Sequence, residues 1–160
     1  MPTPYQATLI ATELAALLDT AKALQSAGMA SHGRSLLRNK NIGLLTEHPD
    51  GAAATRFIDA AQELGAQVSL IRPQHAGLFC PSTTLATTRM LGRLYDAIEC
   101  QDLPPELLRQ LQLQCGTPVL DSQSSLATCP PDWVDKLPVT EQAARERLLV
   151  QALLMRALSS

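Results

Sequence analysis

Apolar residues along the chain follow two spacings, one typical of buried strands and one typical of helices. Short apolar runs bounded by turn residues predict strands, because a strand covered on both faces of a sheet reads as a nearly continuous apolar run. Elsewhere apolar residues recur every three or four positions, as on the buried face of a helix. The predicted strands are 41–46, 68–71, 95–100 and 117–120, and the predicted helices are 8–27, 50–64, 83–94, 105–114 and 140–158.

The alternation of short strands with longer helices predicts an α/β fold. Such units form a parallel sheet with right-handed crossovers, so we expect a four-stranded parallel sheet flanked by helices in a single three-layer domain over residues 1–160. Gly28 and Gly65 are suited to end the first two helices. The segment 122–138 is rich in Ser and Pro and carries Trp133, and we predict a surface connector there, pinned by that side chain.

The helix at 140–158 closes the predicted domain and has an unusual pattern. Its second half, Leu148 to Leu158, is apolar almost all round and is interrupted only by Gln151 and Arg156. Such a helix has to be covered on more than one side. We expect either the helices that flank the sheet or a second subunit to cover it.

Composition excludes several classes of function. The net charge is −2 and aromatic residues make up 3% of the chain, so we expect no nucleic acid and no anionic membrane as partner. No apolar run reaches the roughly 18 residues that span a bilayer, and the N-terminal residues lack the basic-then-apolar layout of a secretion signal, so we expect neither. The cysteines form no CxxC pair and the histidines no HxxxH pair, which favours scattered thiols in a cytoplasmic protein over a metal site. We predict no cofactor.

The turn after the first predicted strand is the first place to look for a ligand, because ligands of parallel α/β sheets bind beyond the carboxyl ends of the strands. His48 beside two carboxylates could act as a general base, although we favour an exposed loop histidine. We expect Asp50 to cap the next helix and Arg89 to brace the sheet against a carboxylate. The candidate ligand-binding residues are Glu47, His48, Asp50, Gly51, Ala52, Ala53 and Arg56 at this turn, with Arg89 and Asp121 from later segments.

Five segments, in the right order, match the patterns of one family. LLRNKNIGLLTEHP and the helix after it are similar to LxGKxxxxLFxxPSTRTRxSFExAAxxLGA, with matches at Phe57, Ala60, Ala61 and Leu64-Gly65-Ala66. TTRMLGRLYDAIEC is similar to DTARVLxRxxDxIxxR, with matches at Thr87, Arg89, Leu91 and Asp96. ELAALLDTAKAL, LPPELLRQLQLQCGTPVLD and the final helix add three further matches. Together they resemble the carbamoyl-phosphate-binding domain of aspartate and ornithine carbamoyltransferases, with segment 122–138 in the place of the second domain.

The resemblance implies a carbamoyl-phosphate site at the turn, but the residues that would form it differ. The family's Ser-Thr-Arg-Thr-Arg signature falls on residues 50–54, which read Asp-Gly-Ala-Ala-Ala. Each lost charge-assisted contact costs on the order of 1.5–3 kcal/mol, so two missing arginines would weaken binding by orders of magnitude. Arg56 could compensate, although we favour a solvated helix arginine.

Two further family features are also changed. The His-Pro-x-Gln motif that holds the carbamoyl group falls on residues 128–131, Thr-Cys-Pro-Pro, which keep neither functional side chain. The lysine that family members lend to a neighbouring subunit's active site falls near Pro81. The resemblance therefore implies the scaffold without the catalytic residues.

Three hypotheses follow. The first is a carbamoyltransferase-like protein without catalytic activity that acts as a binding or assembly module and forms a homo-oligomer, a trimer or a dimer, since this domain carries the trimer contacts in the family. The second is an enzyme or a binder of a small anionic metabolite that uses the same crevice with replaced residues. The third is a residual carbamoyl-phosphate binder that pairs with a full-length carbamoyltransferase and modulates it.

Overall fold

A computed structural model describes residues 11–26, 36–127, 129, 135–137 and 141–158. Helices and strands alternate along this part of the chain, as the apolar spacing predicted. The elements are helix α1 (Ala11–Ser26), strand β1 (Asn41–Leu45), α2 (Ala52–Glu63), β2 (Gln67–Ile71), α3 (Thr84–Leu94), β3 (Ala97–Cys100), α4 (Pro105–Gln114), β4 (Val119–Leu120), α5 (Ser122–Ala127) and α6 (Gln142–Leu158).

The four strands form one parallel sheet in the order β2-β1-β3-β4. The chain leaves β1 towards β2 on one side and leaves β3 towards β4 on the other, so the direction of winding reverses between β1 and β3. In sheets of this kind the reversal opens a crevice at the carboxyl ends of the two strands. The predicted four-stranded parallel sheet is confirmed, and the turn after β1 lies at its reversal point.

Helices cover both faces of the sheet, which gives the predicted three layers. Because strand side chains alternate between the faces, Ile42 and Leu44 of β1 pack with α1, α2 and α6, whereas Leu45 packs with α3 and α4. Ile98 of β3 lies on the same side as Leu45. Each face therefore has its own apolar core.

Two glycines fit local requirements of the backbone. Gly65 has φ of 92° and follows the last turn of α2, where its N–H donates to the carbonyl of Gln62. This confirms the left-handed helix end expected there. A Cβ atom on Gly92 of α3 would lie 1.7 Å from the carbonyl oxygen of Cys115, so only glycine lets α3 approach the end of α4 so closely.

The terminal helix α6 is covered by helices of the same chain. It contacts α1 and α2, and its residues Leu148–Ala152 and Leu154 are buried. The Gln151 side chain is fully buried, and its amide donates to the Ala60 carbonyl and to the Glu63 carboxylate of α2. No helix in the described ranges is long and apolar enough to cross a membrane.

The segment 122–138 differs in part from the predicted connector. It begins with a short helix, α5, and Leu137 further along is buried in the core beside α6. Residues 122–127 are polar and show no apolar periodicity, so the sequence did not predict this helix. Contacts from distant residues stabilise it, as described below. Gly28 and Trp133, the predicted helix end and anchor, lie outside the described residues.

Candidate functional site

The turn after β1 is closed by hydrogen bonds among its own residues. The Thr46 hydroxyl accepts the N–H of His48 at 3.0 Å, and the His48 carbonyl accepts the N–H of Gly51 at 3.0 Å. Thr46 is buried, whereas the His48 side chain is exposed. The turn leads into α2, and the first residues of that helix lie at the carboxyl edge of the sheet.

Asp50 does not cap α2, so the capping role predicted for Asp50 is wrong. The N-cap residue is Gly51, and no side chain caps the helix. A capping carboxylate has to stand at the N-cap itself, from where its oxygen reaches the N–H groups two and three residues on. Asp50 stands one residue too early and is exposed. The start of α2 therefore presents alanine side chains and peptide N–H groups, with an exposed carboxylate beside them.

Two of the charged candidates at this turn hold neighbouring elements in place. The Glu47 carboxylate accepts the N–H of Gln74 at 2.8 Å, which fixes the turn that follows β2. Arg56 forms an ion pair with Glu146 of α6 at 2.5 Å. The half-exposed Arg56 guanidinium is thus engaged by the terminal helix.

The two candidates from later segments do not join the turn. Asp121 follows β4 and caps α5, where its carboxylate accepts the N–H of Ser124 at 3.1 Å and the Ser124 hydroxyl at 2.7 Å. Arg89 is exposed on α3, which packs on the opposite face of the sheet from α2. Within the described ranges no ion pair includes Arg89, so the carboxylate partner expected for it is not found there.

Gln101 is a residue of the crevice that our reading of the sequence missed. It follows β3, is 3% exposed, and its amide donates to the Ala53 carbonyl in the first turn of α2 at 3.2 Å. A signal for it was present in the pattern DTARVLxRxxDxIxxR. When Asp96 is set on the pattern's second aspartate, the final arginine falls on Gln101.

Glu99 is the second missed residue, and it is fully buried within β3. One carboxyl oxygen accepts the N–H of Ser122 at 2.7 Å, and the other is hydrogen-bonded to the Ser122 hydroxyl. Burial raises the pKa of Glu99 to about 8, although the bonds from Ser122 act in the opposite direction. An acidic residue in the otherwise apolar strand AIEC was the available signal. Glu99 ties the start of α5 to the centre of the sheet.

A cavity of about 320 Å³ lies between α2, α5 and α6, next to these anchored helix starts. Gln101 is hydrogen-bonded to Ala53, and Glu99 is hydrogen-bonded to Ser122. Ala53 and Ser122 both line the cavity. Its lining combines apolar side chains with arginines. The lining residues are Ala53, Arg56, Phe57, Ser122, Gln123, Leu126, Ala127, Gln142, Arg145, Glu146, Arg147, Leu149 and Val150.

The four cysteines are free thiols in different surroundings. Burial raises the pKa of the Cys100, Cys115 and Cys129 thiols. Cys80 is exposed, and a hydrogen bond with the Ser82 side chain lowers its pKa. Among the described residues no three His, Cys, Asp or Glu side chains cluster closely enough to hold a metal ion.

Comparison with known proteins identifies several of similar sequence. No family model matches the chain. It is 34% identical to the catabolic ornithine carbamoyltransferase of Burkholderia mallei (strain ATCC 23344) over 111 residues, which are 69% of this chain and 33% of that protein. Identity to the ornithine carbamoyltransferase of Haemophilus influenzae (strain PittGG) is 32% over 109 residues, 68% of this chain and 33% of that protein.

Solved structures show the same fold. The ornithine carbamoyltransferase from Thermus thermophilus superposes with a TM-score of 0.58 at 23% identity, over 69% of this chain and 38% of that one. The catalytic subunit of aspartate transcarbamoylase from M. jannaschii superposes with a TM-score of 0.58 at 17% identity, over 68% and 36%. The chain spans about a third of the length of the curated relatives it matches. It is a homologue of one domain-sized third of the ornithine carbamoyltransferases.

Proposed function

We propose that this protein is a carbamoyltransferase-like domain that does not transfer carbamoyl groups and serves as a binding or assembly module. The observation that carries the proposal is the start of α2. Helix N–H groups, hydroxyls and charge-assisted arginine contacts together stabilise a bound phosphate dianion. Here the N–H groups are accompanied by Ala52, Ala53 and Ala54, and the exposed Asp50 carboxylate would repel a dianion.

The charged residues around the crevice give further support. Glu47, Arg56 and Asp121 each hold a neighbouring element, namely the turn after β2, α6 and α5. Gln101, where the family pattern has arginine, is neutral and bonded to the backbone of α2. Recruiting any of these side chains for a ligand would release an element that it now fixes. These charged side chains around the crevice are thus engaged in holding the fold together.

An assay of carbamoyl transfer tests this proposal. The purified chain is incubated with carbamoyl phosphate and either ornithine or aspartate, with the Burkholderia mallei catabolic ornithine carbamoyltransferase as positive control. We expect no carbamoylated amino acid above the rate without protein, because residues 50–54 at the start of α2 carry no cation to position the phosphate. Product formation in proportion to the concentration of this chain would contradict the proposal.

We propose in addition that the protein self-associates as a trimer or a dimer, through the outer side of α3. The terminal helix α6 has no large apolar side chain among the exposed ones, because α1 and α2 cover it. On α3, Met90 is 52% exposed and Leu94 is 57% exposed. They lie one turn apart on the same side of the helix. A second copy of the chain could bury these two adjacent apolar side chains together.

Light scattering coupled to size exclusion tests the self-association. We expect a mass of two or three chains at micromolar concentration, and a shift towards the single-chain mass when Met90 and Leu94 are both replaced by Gln. Leu36→Gln is the matched control, since Leu36 is also exposed, at 43%, but precedes β1. A wild-type protein that elutes with the mass of one chain would refute it.

A further inference from the structure

We propose that the cavity between α2, α5 and α6 binds a small organic anion with an oxyanion head and a short apolar body. Its volume of about 320 Å³ is at the lower end of the range for small-molecule sites. The site shares Ala53 and Arg56 with the candidates named at the turn after β1, but the ligand proposed for it is not carbamoyl phosphate. The proposal therefore does not depend on whether the chain has transferase activity.

The lining divides into an apolar part and a charged part. Phe57, Leu126, Leu149 and Val150 supply apolar surface from all three helices. Burial of such surface favours a ligand with a hydrocarbon body. Inorganic phosphate alone would make no apolar contact with these side chains.

The charged part of the lining is predominantly cationic. Its ionisable residues are Arg56, Arg145, Arg147 and Glu146, three cations and one anion. Guanidinium groups bind carboxylates and phosphates through two parallel N–H bonds, so a surplus of arginine selects an oxyanion. The charge of the lining thus fits an acidic head group and disfavours a cationic one.

The ion pairs that Arg145 and Arg147 form are ones that a ligand can displace, whereas Arg56 stays paired with Glu146. Arg145 lies 3.4 Å from Asp135, whose side chain is 72% exposed, and Arg147 lies 3.7 Å from Glu63. Ion pairs of this exposed kind contribute little to stability. The Arg145 side chain itself is 18% exposed, so an oxyanion bound beside it would be shielded from water more than Asp135 is.

The walls of the cavity are fixed before any ligand arrives. The Gln101 amide holds the backbone of Ala53, and the Glu99 carboxyl holds Ser122. Gln101 and Glu99 are both buried side chains of the central sheet region. A preformed wall lowers the ordering cost that binding has to overcome.

Titrations followed by amide NMR spectra of the full chain test the proposal. The probes are hexanoate and hexyl phosphate, with hexanol and inorganic phosphate as controls. We expect saturable shifts around Ala53, Leu126 and Val150 with a Kd of about 1 mM for the two amphipathic anions, and much weaker effects from both controls. The better of the two anions identifies the head group. Equal shifts from hexanol, or shifts that lie outside the cavity, would overturn the proposal.

Variants of opposite expected sign separate binding from a change in structure. Arg145→Gln should weaken hexanoate binding about tenfold, the effect of one charge-assisted contact. Glu146→Gln should strengthen it several-fold, because it removes the one carboxylate of the lining. Arg93→Gln on α3, an exposed arginine outside the lining, is the matched control.

A further variant blocks the cavity without removing charge. Ala127→Trp places a bulky side chain at an exposed edge of the lining and should abolish the shifts while the circular dichroism spectrum is retained. Binding that survives this substitution, or that weakens equally in Arg145→Gln and Glu146→Gln, would show that the ligand does not occupy the cavity as proposed.

Discussion

Glu99 is a carboxyl group that the fold buries completely in a parallel sheet, where it holds Ser122. Burial raises its pKa to about 8 from an ordinary value near 4.5. The folded state therefore retains a proton that the unfolded chain has released throughout this window of pH. Stability linked to Glu99 is fully present below about pH 4.5 and is lost as the pH rises through about 8.

Glu99→Gln should remove this part of the pH dependence. In the wild type we expect the free energy of unfolding to fall by a few kcal/mol between pH 5 and pH 8.5 through this group. Glutamine keeps the shape and an oxygen for the N–H of Ser122 but does not titrate. Urea unfolding at several pH values measures the difference, with the exposed Glu106→Gln as control. Parallel pH profiles for the wild type and Glu99→Gln would contradict the assignment.

The sequence identified charged residues at the carboxyl edge of the sheet but not what they bind. Glu47 bonds to a residue 27 positions away, and Arg56 to one 90 positions away. Periodicity contains no information about such pairings, because they depend on the order of the strands and on where α6 returns. Asp50 shows that a prediction from local sequence can also fail. A shift of one residue in the helix start replaces a capping carboxylate by an exposed one.

At the scale of elements, most helices and strands were predicted because each has a local cause. The apolar run of β1 and the apolar spacing of α2 led to elements within two residues of those observed, and Gly65 ends α2 as expected. The short helix α5 was missed because its stability is not local. Asp121 caps it, and Glu99 from β3 fixes its first residue. A six-residue polar helix has no periodicity that could reveal such support.

At the scale of the whole molecule, the alternation of elements was sufficient for the sheet and its three layers, but not for the strand order β2-β1-β3-β4. That order places β1 beside β3, and so places Gln101 against the first turn of α2. It also allows α6 to pack on α1 and α2. The terminal helix is therefore covered by the flanking helices, which was one of the two arrangements expected for it. The cavity between α2, α5 and α6 exists only at this scale, since its lining comes from three separate helices.

We propose above all that this chain keeps a carbamoyltransferase-like fold without the charge that would bind phosphate. Calorimetric titration with carbamoyl phosphate, and with inorganic phosphate, tests it most directly when the wild type is compared with Ala52→Arg. Ala52 is exposed in the first turn of α2, so the variant places one cation beside the free N–H groups.

We predict no saturable heat from the wild type at millimolar ligand. Ala52→Arg should gain weak binding, stronger by about tenfold or more, since a charge-assisted contact contributes on the order of 1.5–3 kcal/mol. Ala15→Arg in α1, also at an exposed alanine, controls for added charge alone. Saturable binding of carbamoyl phosphate to the wild type in the micromolar range would contradict the claim.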